Sequence, residues 1–241
     1  MKKITQQNLI LSIIENIIRS NIYLFIFFRF LINKFFSKII YESDFNILIF
    51  LKNTSIFKKK TIIDVGANDG ISIKIIRKFT NNKIISFEPN NLNYKKITLL
   101  KKKIKNLITY KIGLSNIKHR GVFIYEAYFK KYHLSPFDSL LKINVMKHLK
   151  GSLFIKNIVK KITIKKSKIK IDKLDNYMLN PCFIKIDIQG HEYECVKGSI
   201  KTIKKSKPII MIEFDTLIID KIYKVLRKFG YRKFYISYSF D

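Results

Sequence analysis

Several residue types are scarce in this chain of 241 residues, and each scarcity excludes a class of site. The two cysteines, Cys182 and Cys195, are too few for a disulfide framework. The four histidines have no metal-ligand spacing to cysteines or acids, so we predict no metal site. A reducing, cytoplasmic compartment is the default setting for such a chain.

Acidic residues are also few, with 17 Asp and Glu against 48 Lys and Arg and a net charge of +31. Such an excess of positive charge is typical of proteins that bind nucleic acid or an anionic membrane. However, only six of the basic residues are arginines, tryptophan is absent, and alanine occurs only at Ala67 and Ala127. This skew is typical of an AT-rich coding sequence, and the lysines are spread along the chain. We therefore interpret them mainly as a solvated surface, and nucleic-acid binding is the less favoured alternative.

No apolar run in the N-terminal region is long enough to span a bilayer, because Arg29 interrupts the stretch 22–28. A small-residue cleavage site is missing as well, which argues against a secretory signal. We predict that residues 1–57 form a helical segment that packs on a core domain at 58–241. An amphipathic helix in 9–36 that contacts the inner face of a membrane peripherally is the alternative.

A glycine-rich turn follows the apolar run 61–63 and has the form D-x-G-x-x-x-G, at Asp64, Gly66 and Gly70. Dinucleotide folds use G-x-G-x-x-G, which seats a pyrophosphate on a helix N-terminus. Here no Lys or Arg lies in the turn and Asp69 adds an acid, so a pyrophosphate would be repelled. A ligand with an ammonium and a sulfonium is compatible with these acids, which favours S-adenosylmethionine.

Acids end four apolar runs of the chain, at Asp64, Glu88, Asp187 and Glu213. Because parallel strands bring their carboxyl ends to one edge, these side chains are predicted to share a rim where ligands bind. Glu88 in particular can accept hydrogen bonds from ribose hydroxyls.

The alternation of strands and helices predicts a doubly wound, mostly parallel α/β sheet. We predict strands at 61–65, 83–87, 107–112, 182–187, 208–213 and 231–237, and helices at 38–60, 91–103, 192–203 and 217–229. An added strand at 122–125 could pair with 162–164 and 169–171. Residues 126–160 have no clean periodicity and are predicted to be an irregular substrate loop.

Several motifs together resemble the FkbM family of S-adenosylmethionine-dependent methyltransferases, and they cover about residues 60–235. The motifs are D-V-G-A-N-D-G at 64–70, F-E-P-N at 87–90, K-I-D-I-Q-G-H-E at 185–192, V-K-G at 196–198 and the strand 208–213. The K-I-D-x-x-G-x-E block is the specific part of this resemblance.

The resemblance implies a class I, Rossmann-like fold that transfers a methyl group to an oxygen, commonly a hydroxyl of a sugar or a polyketide-like metabolite. It also implies a set of donor contacts. Asp64, Gly66, Ala67, Asn68 and Gly70 would surround the methionine part, Glu88 the ribose, and Pro89, Asn90, Leu114 and Ser115 the adenine, with Asp187 nearest the methyl group.

A hydroxyl acceptor must lose its proton, and we consider Asp187 or His191 as the general base. Glu192 is predicted to accept hydrogen bonds from N–H groups in the first turn of its helix. Lys185 lies inside a central strand, where a lysine needs an acidic partner, and we predict Glu213 or Glu192.

Two other functions stay open. A nucleic-acid methyltransferase is disfavoured because residues 187–190 read D-I-Q-G, without the proline and aromatic residue of base N-methyltransferases. A binding protein that keeps the fold without activity is disfavoured because every rim acid is intact. Acceptor specificity is expected to depend on 126–160.

Overall fold

A computed structural model of the chain describes residues 22–24, 26–27, 61–152, 156–213 and 216–234. The helix predicted at 38–60 lies outside these residues, as does most of the predicted N-terminal helical segment. Residues 231–234 have no regular secondary structure, so the strand predicted from 231 does not begin there, and 235–237 lie outside the described part of the chain.

The elements are numbered here in chain order. The strands are β1 (Thr61–Val65), β2 (Ile84–Phe87), β3 (Leu107–Tyr110), β4 (Gly113–Leu114), β5 (His119–Phe129), β6 (Tyr132–His133), β7 (Ile162–Asp172), β8 (Pro181–Ile186) and β9 (Ile209–Ile212). The helices are α1 (Ile71–Phe79), α2 (Asn91–Lys101), α3 (Lys142–Gly151), α4 (Glu192–Lys197), α5 (Ile200–Ser206) and α6 (Thr216–Arg227). Short 3₁₀ turns occupy Ser135–Phe137, Lys156–Lys161 and Leu174–Tyr177.

The central sheet has the order β3-β2-β1-β8-β9, and all its strands are parallel. This confirms the predicted doubly wound, Rossmann-like α/β architecture. In the register, Val65 lies beside Phe87 on one side and Ile186 on the other. The residues that follow these three therefore emerge together at one edge of the sheet.

Both faces of the central sheet are covered by helices, which explains why its strands are continuous β-branched runs rather than alternating ones. Ile62 and Phe183 face α1 and α2, and both side chains are fully buried. Ile63 and Ile184 face the opposite side, where α4, α5 and α6 pack. Alternate residues of a strand thus belong to separate cores.

A second sheet has the order β4-β7-β5-β6, and its long β5–β7 pair is antiparallel. The strand predicted at 122–125 does pair with this part of the chain, but with 166–169, while 162–164 and 170–171 pair with other residues of β5, which runs from His119 to Phe129. The prediction that 126–160 is irregular was wrong, because β5 continues to Phe129 and α3 follows. Glu126 is buried in β5. Because an acid occupies an inward position, the alternation of apolar and polar residues that identifies a strand is lost there.

The helix predicted at 192–203 is two helices, because the chain breaks at Gly198 and Ser199. A Cβ on Gly198 would lie 1.8 Å from the backbone oxygen of Ser115. The break therefore allows two backbones to touch, and Gly198 is the residue type that permits it.

The described N-terminal residues are helical and contact the second sheet. Ile22 is buried with Phe129 and Val145, and the ring of Tyr23 meets that of Phe129 edge-on at 5.5 Å. Lys130 Nζ donates to the Tyr23 hydroxyl at 2.9 Å. Among the described residues, no helix is long and apolar enough to cross a membrane.

Candidate functional site

A cleft of about 1330 Å³ opens at the edge of the central sheet where β1, β2, β8 and β9 end. The residues predicted as site residues that line it are Gly66, Ala67, Asn68, Glu88, Pro89, Leu114 and Asp187. The predicted site residues that do not line it are Asp64, Gly70, Asn90, Ser115 and His191. Seven of the predicted site residues thus line one cleft, and the other five lie outside its lining.

The glycine turn after β1 is pressed against the end of β8. Gly66 has a φ of +77°, and a Cβ there would lie 1.9 Å from the backbone oxygen of Asp187. Gly70 has a φ of +84° and lies at the start of α1. A Cβ on Gly70 would lie 2.4 Å from the Leu100 side chain. Gly66 is thus required by backbone conformation and by space, whereas Gly70 is required mainly by its positive φ, because the end of the Leu100 side chain can move.

Glu88 connects the turns that follow β1 and β2. Its side chain is buried, and its carboxylate accepts from Asn68 N at 2.8 Å and from Asn90 N at 2.9 Å. Burial raises the pKa of Glu88 to about 8, against the effect of these two hydrogen bonds. A carboxyl group that lines the cleft and is fixed from behind can bind hydroxyl groups without rearranging.

Asp64 lies beneath the cleft and is completely buried. Ser72 Oγ donates to its carboxylate at 2.6 Å, and burial raises the pKa of Asp64. Lys185 Nζ stands 3.9 Å from Asp64 and donates to Asp187 at 2.9 Å. The buried lysine thus has acidic partners, but these contacts are with Asp64 and Asp187 and not with the predicted Glu213 or Glu192.

Asp187 follows β8, and both of its carboxylate oxygens accept hydrogen bonds. Lys185 donates to Oδ2, and Gln189 Nε2 donates to Oδ1 at 3.2 Å. Burial opposes the charge of Asp187, but Lys185 outweighs this effect and holds the pKa of Asp187 below its usual range. The same Gln189 amide donates to Glu213 Oε2 at 2.7 Å, and Gln189 has a φ of +54°. An ionised carboxylate is thus fixed at the centre of the rim.

Glu192 organises the turn between β8 and α4. Its carboxylate accepts from Ile188 N at 3.0 Å and from Gly190 N at 3.0 and 3.1 Å. It also accepts from its own backbone N–H, so the N–H groups that it binds lie both in the turn before the helix and in its first turn.

His191 faces away from the cleft. Its Nε2 is 3.0 Å from Ser115 Oγ, its Nδ1 is 4.0 Å from Glu194, and burial lowers its pKa. Because its ring is engaged with Ser115, the geometry does not place His191 where it could take a proton from an acceptor in the cleft. The two residues instead join the start of α4 to the chain after β4.

One side of the cleft is built by residues that the sequence did not single out, Ser135–Leu140, which we call the front wall. Ser135, Pro136, Asp138, Ser139 and Leu140 line the cleft. Ser139 Oγ donates to the backbone oxygen of Gln189 at 2.8 Å. The front wall is thereby tied to the turn after β8, and it belongs to the segment predicted to contact substrate.

The other end of the front wall is tied to β2 through buried polar groups. Asn90 Nδ2 donates to Asp138 at 2.9 Å and to Glu126 at 2.7 Å. His133 Nε2 lies 2.8 Å from Asp138, and burial raises the pKa of Asp138 to about 6. Asn90, predicted to touch adenine, therefore holds the wall and caps α2 with its Oδ1.

Replacing Asn90 with alanine is expected to lower the free energy of unfolding by about 2 kcal/mol, since a helix cap and two buried carboxylate contacts are lost. Chemical denaturation monitored by circular dichroism measures this. Asn91→Ala is the matched control, because the neighbouring Asn91 is exposed and accepts only from Lys111. A similar loss in both variants would contradict the assigned role of Asn90.

Within the described part of the chain, no group of three or more His, Cys, Asp or Glu could hold a metal ion. Cys182 and Cys195 are buried, and among the described residues neither is part of a disulfide.

The chain is similar to known methyltransferases. A family model described as "Methyltransferase FkbM domain" matches residues 64–233. A solved structure, "Crystal structure of Methyltransferase FkbM from Methylobacillus flagellatus KT", is similar at 16% sequence identity with a TM-score of 0.46. The match covers 80% of this chain and 40% of that one. No curated protein matches.

Proposed function

The chain belongs to the FkbM family of methyltransferases, and we propose that it transfers the methyl group of S-adenosylmethionine to a hydroxyl oxygen of a sugar, a glycan or a small metabolite. The observation that carries this proposal is the cleft itself, in which a glycine turn without basic residues faces Glu88 and Asp187. When bound, S-adenosylmethionine supplies an electrophilic methyl group on a positively charged sulfur.

The residues of the cleft fit this donor in charge and in shape. Gly66 leaves space that any side chain would fill, and Asn68 Oδ1 is buried without a hydrogen-bond partner among the described residues. An ammonium group is a suitable partner for that oxygen. Asp187 is kept ionised by Lys185, so it can stabilise a sulfonium. Glu88 would then bind the ribose hydroxyls, and Pro89 and Leu114 would lie beside the adenine.

The reaction is an in-line displacement, so most of the protein's contribution is to hold donor and acceptor in line. The front wall and the turn after β8 enclose the acceptor side of the cleft. The hydrogen bond from Ser139 to the Gln189 backbone fixes the distance between them.

Titration calorimetry with S-adenosylmethionine tests the donor. Saturable binding supports the proposal, whereas a folded sample that gives no heat would favour a binding protein without activity. Incubation with methyl-labelled donor and a panel of glycans then tests the acceptor class. If the label entered nucleic acid and no glycan, the result would favour the nucleic-acid methyltransferase instead.

Replacing Glu88 with glutamine is expected to weaken the affinity for S-adenosylmethionine roughly 3- to 10-fold, because the amide removes one acceptor oxygen and a lost hydrogen bond costs about 0.5–1.5 kcal/mol. The amide would also point an N–H group at the N–H of Asn68 or Asn90. Calorimetry measures the change. The control is Glu194→Gln, which removes a half-exposed carboxylate on α4 and should leave the affinity unchanged.

A further inference from the structure

The group that takes the proton from the acceptor hydroxyl has to lie beside Asp187 and must keep an atom available to accept that proton. Asp187 is itself a poor candidate, because Lys185 and Gln189 occupy both of its carboxylate oxygens. His191 does not line the cleft and contacts Ser115 instead. Asp138 lines the cleft but is bound to His133 and Asn90 at the β2 end.

Glu213 meets the geometric requirement. It follows β9, and its backbone N donates to Ile186 O at 3.2 Å, so it stands next to the end of β8. It lines the cleft, and its side chain reaches solvent. Gln189 Nε2 spans the two carboxylates and thereby holds Glu213 next to Asp187.

Resting on the function proposed above, we propose that Glu213 is the general base for the acceptor hydroxyl, and that Gln189 is the positioning residue that holds it beside Asp187. The methyl carbon–sulfur bond breaks as the carbon–oxygen bond forms. The hydroxyl proton passes to the Glu213 carboxylate, and the products are a methyl ether and S-adenosylhomocysteine. The proton then leaves to solvent, which Glu213 reaches.

The charges around Glu213 link its protonation to the donor. Burial against the cleft raises the pKa of Glu213 to about 8, together with the charge of Asp187, a hydrogen bond between the two carboxyl groups and a smaller effect of Glu192. Lys185 faces Asp187 from β8, and Lys207, Arg232 and Lys233 line the cleft further along β9. Before the donor binds, Glu213 is therefore largely protonated at pH 7. A sulfonium beside Asp187 lowers the pKa of Glu213, so the base becomes ionised when the donor is present.

Proton release on binding tests this link without knowledge of the acceptor. Calorimetry at pH 7 in buffers of different ionisation enthalpy gives the protons released per ligand. S-adenosylmethionine is expected to release on the order of 0.5 proton more than S-adenosylhomocysteine, which has no sulfonium charge. Glu213→Gln should abolish this difference, whereas Asp220→Asn, which removes an exposed acid on α6, should keep it.

The outcomes separate the two proposals. If the wild-type protein binds S-adenosylmethionine but Glu213→Gln keeps the full difference, Glu213 is not the base and the donor assignment stands. If the wild-type protein does not bind S-adenosylmethionine, the proposed function is overturned, and this inference with it.

Turnover gives the second readout. With a methyl glycoside that the wild-type protein methylates, Glu213→Gln should lower kcat roughly 100- to 1000-fold and remove its dependence on pH below neutrality. The affinity for S-adenosylmethionine should stay within about threefold of wild type. Glu213→Asp should retain more activity than the glutamine variant. Wild-type kcat in Glu213→Gln would overturn the assignment.

Discussion

Replacing Gly66 with alanine is expected to destabilise the fold by roughly 2–5 kcal/mol and to abolish binding of S-adenosylmethionine. Two effects add in this variant. Alanine at a φ of +77° is in a strained backbone conformation, and its Cβ would lie 1.9 Å from the backbone oxygen of Asp187. Neither atom can move alone, since one belongs to the glycine turn and the other to the end of β8. The turn must therefore shift out of the donor site.

Gly121→Ala separates the two effects. Gly121 has a φ of +91°, but a Cβ there would have no heavy atom within 4 Å. We expect a loss of roughly 1–2 kcal/mol from backbone strain and unchanged donor binding. Thermal or urea denaturation measures stability, and calorimetry measures the affinity. Equal losses in the two variants would mean that the contact with Asp187 contributes nothing.

Replacing Lys185 with methionine is expected to lower the free energy of unfolding by roughly 3–5 kcal/mol near neutral pH, because a buried charge loses its partner. The charge in question is mainly that of Asp64, which is completely buried, while Asp187 is about one-third exposed. Donor affinity should fall as well, since Asp187 loses the group that keeps it ionised and oriented.

The pH dependence of this variant has a definite sign. The pKa of Asp64 is already raised above its usual value of 3.8, and removal of Lys185 raises it further. The folded state then binds more protons than the unfolded state, so the stability of Lys185→Met falls as pH rises above about 4. Urea denaturation from pH 5 to pH 8 measures this dependence.

Lys185→Met/Asp64→Asn tests the same point by removing the charge that was left unpaired. We expect it to be more stable than Lys185→Met at pH 8, because an amide costs less to bury than an unpaired carboxylate. Wild-type stability in Lys185→Met at every pH would show that the ion pair has no net effect.

The central sheet could be predicted because its strands are buried on both faces. Runs such as 61–65 and 182–187 are mostly apolar, and a glycine turn or acid marks where each ends. The second sheet was predicted only in part. Glu126 points inward in β5, so the alternation that identifies a strand is lost at that residue, and the polar partners that make its burial tolerable are distant in sequence.

The candidate site, like the fold, could be predicted from the sequence only in part. Asp187, Glu88 and Gly66 lie directly after strands, where topology alone brings them together. The front wall depends on contacts between residues far apart in the chain, such as Asn90 with Asp138 and Ser139 with Gln189. No periodicity encodes such contacts. The partners of Lys185 were missed for a related reason, since Asp64 reaches it only through the register of β1 and β8.

The contact between Gly198 and Ser115 determines more than the break between α4 and α5. Ser115 N also donates to Asp172 O, which is the last residue of β7. The helices under β8 are thus in direct backbone contact with the chain that leads into the second sheet, and that sheet carries the front wall. The two sheets are therefore joined at a point outside the cleft, and a change of side chains in the front wall leaves that contact unaltered.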